Sequence, residues 1–385
     1  MMNRIIPLVL LAAALSPSMA AQQASRSTPI FRLATFQTNG ELRLGATQGN
    51  GESDIVDIHN AIRALVAMNA SEVRNLSYIP ADMKTLIEVG DSAVAGVKAV
   101  YRAALAHKAS GKLVDPGGEA RIFHPHTSVR LRTPIPNPHQ MFGMAGNYKR
   151  AEGETRPAQA PPQPAPAPQA RAQGQGQGQG GGGGLGRAPN PNLPSIFIKS
   201  VAGLAGPDDE IVMTDLLKDG YPNSHEVELA VIIGKRAKNV SEAAAMDYVF
   251  GYTVHNDVSG RTLQTGASSS EGSSMTKGMD TFAPTGPYIT LKEDVPDPYN
   301  LAMETKLNGK VFPMPNAHTK YMEHRIPQAI SLLSHIMTLQ PGDILATGVP
   351  APTAPLLVGD TVEISIERLG TLRNRVVRKA TGSTF

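Results

Sequence analysis

The chain contains no cysteine. That excludes disulfides, a thiol nucleophile and thiolate ligation of a soft metal, and it leaves either redox compartment open. No Lys/Arg-rich run with interleaved aromatics is present, and the formal charge is only +3, so a nucleic-acid surface is not expected. Beyond the first residues no apolar stretch is long enough to cross a bilayer. Apart from Gln-Gly dipeptides there is no internal repeat. What is there is a chain of 385 residues, 41% hydrophobic, longer than one average domain and able to bury a sizeable core.

The start reads as a signal peptide, residues 1–20: Arg4 supplies a positive n-region, Ile5 to Leu15 an apolar h-region, and Ser18-Met19-Ala20 a small-x-small cleavage site. Export follows, with the periplasm as the expected compartment. Residues 29–135 mix short strand patterns (FRLATF, LRLGAT) with a helical stretch around Ser92–His107, and are expected to form a small N-terminal domain. Residues 141–154 end in GNYKRAEGE. The tract 155–192 is Pro/Ala/Gln-rich and then Gln-Gly-rich; its composition has almost nothing to bury and predicts disorder. Residues 193–385 carry strand-length apolar runs (AVIIG, EISIE) between Gly/Pro turns, with one long helix expected from about Ile326 to Leu339, stopped by Pro341-Gly342. The predicted class is α+β, predominantly β.

The densest chemistry lies between His225 and Phe282. Glu226 and Glu228 are two apart, just ahead of the apolar run Leu229–Ile233. Side chains at i and i+2 of a strand share a face, so both carboxylates point the same way. A second strand-like segment, GYTVHND, delivers Asp257 at its end. An E-x-E on a strand is ordinarily a solvated face. Here the following residues are apolar without alternation, the pattern of a strand buried on both faces. Carboxylates at that depth require a cation or strong donors. Three of them suit a hard divalent ion such as Mg²⁺ or Mn²⁺. His225, next to Glu226, is expected to face away and serve a structural role. Isosteric amides at Glu226 or Asp257 are expected to remove metal binding with little loss of fold.

The order of segments from Phe31 to Val377 resembles the fumarylacetoacetate hydrolase family: GNY at Gly146–Tyr148, PSIFIKS, HEVELAVIIGK, HNDVSGRTLQ, KGMDTFAPTGP, LQPGDILATGVP and GDTVEISIERLGTL. The resemblance implies a mixed β-roll catalytic domain behind a small N-terminal α/β domain, assembled as a homodimer. It also implies Glu226, Glu228 and Asp257 as metal ligands, Lys277 and Glu154 as catalytic residues, and Asn147, Tyr148, Arg261, Gln264, Thr347 and Gly348 on the substrate side. The substrate expected is a small 2-oxo acid or 1,3-dicarbonyl compound that chelates the ion, with an ammonium at Lys277 stabilising the enolate.

Three positions depart from the family pattern. Hydrolytic members read N-Y-x-x-H-x-x-E, whereas this chain reads NYKRAEGE, with Glu154 in place and Ala151 where the histidine stands. The G-T-P-x-G loop reads Gly348-Val349-Pro350-Ala351-Pro352, and the Arg-Asp pair reads Arg261-Thr262. Hydrolysis of a C–C bond in an acylpyruvate is the leading expectation. Isomerisation, decarboxylation or dehydration on the same metal site, which need no activated water, are the alternative. An exported binding protein without turnover is the third.

Overall fold

The computed structural model describes residues 29–49, 53–149, 192–217, 219, 223–261, 275–350 and 353–379. The expected signal peptide, Ala151, Glu154, Thr262, Gln264, Ala351, Pro352 and all but the last residue of the 155–192 tract lie outside the described residues.

The first two strands, β1 (Phe31–Thr38) and β2 (Glu41–Gln48), close as a hairpin over Asn39-Gly40. Both loop residues have positive φ, 50° and 82°, the backbone of a type I′ turn and the reason for an Asn-Gly pair there. Strands β3 (Ile55–Asp57), β4 (Phe123–His124) and β5 (Arg130–Leu131) complete the N-terminal region. Between them run helices α1 (Ile58–Ala67), α2 (Met83–Val89) and α3 (Asp91–Ala109). Asp57 and Asp82 cap the first two, each accepting a backbone N–H three residues on at 2.9 Å.

The remaining strands are β6 (Met141–Ala145), β7 (Ser195–Lys199), β8 (Leu204–Ala205), β9 (Glu210–Met213), β10 (Ser224–His225), β11 (Val227–Ile233), β12 (Val249–Asn256) and β13 (Ala283–Leu291). They continue with β14 (Met303–Leu307), β15 (Lys310–Val311), β16 (Ile344–Ala346), β17 (Ala354–Pro355), β18 (Thr361–Ile366) and β19 (Gly370–Arg378). A 12-stranded sheet runs β4-β3-β2-β1-β13-β12-β11-β16-β6-β7, with β5 beside β1 and β8 beside β13. A 5-stranded sheet, β15-β14-β18-β19-β9, packs against it, and β10 pairs with β17. The architecture is mixed α+β and strand-rich.

The N-terminal region does not stand apart from this sheet. β1 pairs antiparallel with β13, Arg32 opposite Thr290. The core under α1–α3 also takes in Ala230, Ile232, Ile289, Leu291 and Ile344 from the C-terminal part. The unbroken apolar run of β11 is thereby explained. Leu229, Val231 and Ile233 pack into the core shared with the 5-stranded sheet, while Ala230 and Ile232 pack into the core under the helices.

Helix α4 (Ile326–Ile336) carries Pro327 in its first turn and ends three residues before the expected Leu339. The chain leaves the helix because Leu339 pairs its backbone with Ala237, at 2.9 and 3.0 Å. Asp343 then draws in the N–H groups of Gln340 and Gln140, each at 2.8 Å, to start β16.

Candidate metal centre

Register creates the site. β11 and β12 pair with Val227 opposite Asn256 and Glu228 opposite His255. One step further, the Asp257 N–H donates to the Glu226 carbonyl at 3.0 Å. Directly opposed residues of antiparallel strands share a face, so Glu226, Glu228, His255 and Asp257 all emerge on one side of the sheet. An oxygen from each of the three carboxylates lies within 4.8 Å of the others, and all three residues are buried.

The lysines reach the same corner. Lys277 Nζ donates to Glu226 Oε2 at 3.0 Å and contacts Asp257 Oδ2. Lys199, 2% exposed, donates to Asp257 Oδ1 at 2.5 Å and to the Lys277 carbonyl at 2.8 Å. Arg261 Nη2 donates to Glu226 Oε1 at 2.5 Å from the exposed rim. Burial pushes the Asp257 carboxyl up, but Lys199 and Lys277 outweigh it and hold the group well below the usual range. Burial likewise works against charge on Lys277, and Glu226 and Asp257 overcome it, so its ammonium is held above the ordinary lysine value.

Glu228 differs. It accepts the Gly348 N–H at 2.8 Å, yet no cation pairs with it among the described residues. Burial, then the charges of Asp257 and Glu226, raise its carboxyl well above the usual range. A buried carboxylate with no counter-ion among the described residues, set in a triad of carboxylates, fits a hard divalent cation.

The other expected residues spread around this corner. Asn147, 1% exposed, spends its side-chain amide on the backbone: Nδ2 donates to the carbonyls of Thr347 (2.9 Å) and His324 (3.1 Å), and Oδ1 accepts from His324 N–H (2.8 Å). Tyr148 is buried and bridges to Met322, and burial, with the Glu228 charge a lesser cause, pushes its phenol above the ordinary tyrosine value. The Thr347 hydroxyl donates to the Leu229 carbonyl at 2.9 Å. Asn147 and Thr347 thus brace the loop whose next residue, Gly348, holds Glu228. His225 is buried with its ring edge against Phe312, its pKa lowered to about 4 by burial.

Two residues of the centre were not singled out in the sequence. Lys199 is a lone lysine at the end of an apolar strand, SIFIK, and that incongruity was the available signal. His255 is 0% exposed, with Nδ1 2.9 Å from the Thr285 hydroxyl. That hydroxyl also lies 3.1 Å from the Ala283 carbonyl, and Nε2 has no hydrogen-bond partner among the described residues. Burial, reinforced by Lys199, lowers its pKa to about 3.

A strand-rich fold with buried carboxylates and lysines on one sheet face defines a class, and the comparisons place the chain within it. Residues 170–377 match the fumarylacetoacetate (FAA) hydrolase C-terminal family. The chain belongs to the fumarylacetoacetate hydrolase family. An uncharacterized protein of Pyrococcus abyssi is 45% identical over 188 residues, 49% of this chain and 81% of that relative. Among solved structures, maleylpyruvate hydrolase from Sphingobium sp. SYK-6, in complex with manganese(II) and pyruvate, superposes with a TM-score of 0.60 at 27% identity, covering 91% of this chain and 100% of that one. The 5-carboxymethyl-2-hydroxymuconate delta-isomerase of Mycobacterium smegmatis gives 0.57 at 26% identity, with coverages of 91% and 100%.

Proposed function

We propose that this chain is a divalent-metal-dependent hydrolase that cleaves a C–C bond in an acylpyruvate or related 1,3-dicarbonyl acid. The observation that carries the reading is the buried triad Glu226, Glu228 and Asp257, with no cation paired to Glu228 among the described residues and Lys277 beside the triad. The manganese and pyruvate named in the Sphingobium hydrolase structure support both the ion and the substrate class.

Glu226, Glu228 and Asp257 would hold Mg²⁺ or Mn²⁺, which when bound supplies Lewis-acid polarisation of a 2-oxo carbonyl. Lys277 keeps a charged ammonium at this corner, where it stabilises negative charge developing on the enolate oxygen and can return a proton. Arg261, 49% exposed by side chain and anchored to Glu226, presents the rest of its guanidinium to an incoming carboxylate. Cleavage adds water across the bond, giving a carboxylic acid and pyruvate. Glu154 is the base assigned from sequence. With Ala151 in the usual histidine position, isomerisation or decarboxylation of a 2-oxo acid is the second reading, in line with the isomerase named above. We extend the reading to an exported homodimer on the N-terminal sequence and the family resemblance.

The test is a screen of the mature protein with Mn²⁺ or Mg²⁺ on a panel of acylpyruvates and oxaloacetate, followed by loss of enol absorbance. Metal-dependent cleavage of an acylpyruvate is expected. Turnover confined to oxaloacetate would favour the second reading. Mn²⁺ binding without turnover on any substrate would leave a binding protein, and absence of Mn²⁺ binding would overturn the centre itself.

A further inference from the structure

Strand β7 presents Ser195, Phe197 and Lys199 on one face, because alternate residues of a strand point the same way. Lys199 faces the metal corner, so Phe197 does too. Its ring lies under the Lys277 ammonium, with Nζ 5.2 Å from the ring centroid, within the range of a cation–π contact. The neighbouring strand makes room for it. Gly143 on β6 stands directly opposite Phe197. A Cβ built there would overlap the tip of the ring and lie 2.9 Å from the two carbons flanking that tip. The glycine is a seat, and any side chain in its place would lift the ring.

Two residues of one strand face therefore grip Lys277 at opposite ends. Lys199 binds its main-chain carbonyl at 2.8 Å, and Phe197 faces its ammonium. Glu226 and Asp257 draw the same ammonium toward the carboxylates. An ammonium held by charge alone can slide between carboxylate oxygens. A ring face beneath it limits the approach to one side.

We propose that Phe197, seated on Gly143, is a positioning residue that fixes the Lys277 ammonium over the metal corner and acts on the reaction only through that lysine. The inference rests on the metal-dependent enolate reading, and its first test stands independently of turnover. With lysines labelled ¹³C at Cε, the NMR signal missing from Lys277→Met identifies Lys277. The ring face should shift that signal's protons upfield, and Phe197→Leu or Gly143→Ala should move them back. An unmoved signal in both variants would overturn the proposal.

The second test measures affinity for oxalate, a planar analogue of the pyruvate enolate, in the presence of Mn²⁺. Phe197→Leu should weaken oxalate binding about tenfold, the scale of a desolvated cation–π contact, and leave Mn²⁺ affinity unchanged. In a Lys277→Met background the same substitution should have no further effect. Equal losses in both backgrounds would show that Phe197 acts independently of Lys277 and overturn the proposal. A wild type that binds Mn²⁺ but no oxalate would sink the enolate reading and the role assigned to Phe197 with it. Gly143→Ala keeps the ring while lifting it, and retention of full oxalate affinity in that folded variant would also count against the proposal.

Discussion

Replacing Glu228 by glutamine should stabilise the metal-free protein while abolishing its affinity for Mn²⁺, and the same isosteric change at Asp257 should destabilise it. The difference is the counter-ion. Asp257, 1% exposed, is met by Lys199 and Lys277. Asp257→Asn leaves the Lys199 ammonium buried without its partner, a change on the order of 3–5 kcal/mol. The mildness expected of an isosteric amide there does not survive the discovery of that buried lysine. Glu228 has no such cation among the described residues, and glutamine can still accept the Gly348 N–H. Removing its charge should add about 1 kcal/mol or more, the scale on which a buried unpaired polar group is penalised.

The pH dependence separates the two further. The folded pKa of Glu228 is raised, so between the unfolded value of about 4.3 and the raised one the folded state binds more protons than the unfolded state. Stability falls as pH climbs through that window. The gain from Glu228→Gln is therefore absent in acid and complete above the window. Asp257 has the opposite sign. Its folded pKa is depressed, so its stabilisation is fully present above about 3.9 and fades only as pH falls toward the depressed value. The assay is urea denaturation in chelator across this range, with calorimetric titration of Mn²⁺ at neutral pH. A Glu228→Gln protein less stable than wild type at neutral pH, or an Asp257→Asn protein equal to wild type, would refute this charge assignment.

Lys277→Met should lower turnover about 10²–10³-fold while retaining Mn²⁺ affinity, because the ammonium competes with the ion for Glu226 and Asp257; loss of Mn²⁺ binding would contradict that role. Gly348→Ala forces a side chain onto a backbone with φ 91° and places its Cβ 3.0 Å from the Met144 carbonyl oxygen and Asn147 Cβ. It should cost about 1–3 kcal/mol and weaken Mn²⁺ binding by dislodging the N–H from Glu228, and unaltered affinity by titration would count against the loop's part in the centre. Asn147→Ala should destabilise by about 2 kcal/mol or more, since the backbone groups of His324 and Thr347 lose buried partners; a melting curve identical to wild type would remove its bracing role. Ala151→His, placed three residues before Glu154 in the sequence, should raise kcat/KM for acylpyruvate cleavage about tenfold through general-base catalysis. No gain in a folded, metal-loaded variant would argue against that alignment.

The carboxylates were legible because strand periodicity is local. Two residues apart on β11 means one face, whatever the rest of the chain does, and an apolar run too continuous for a half-exposed strand marks burial on both sides. Lys199 and His255 were not legible in the same way. Lys199 reaches Asp257 only because β7 adds to β6 at the sheet edge, and β6 lies beside β16, which pairs with β11. His255 joins the site through its register opposite Glu228. Neither pairing has a sequence signature of its own.

The N-terminal region shows the same limit. Its first two strands and the helix around Ser92–His107 could be read from their patterns, but the pairing of Arg32 with Thr290 could not. By itself the sequence determined several of the elements, the depth of the triad and the ligand chemistry that three carboxylates permit, all of which follow from periodicity and side-chain type within a few residues. Tertiary structure decided which charges share a counter-ion. Lys199 and Lys277 pair with Asp257, and no cation pairs with Glu228 among the described residues, because Coulomb interactions in a buried site depend on distances of a few ångströms between groups far apart in the chain.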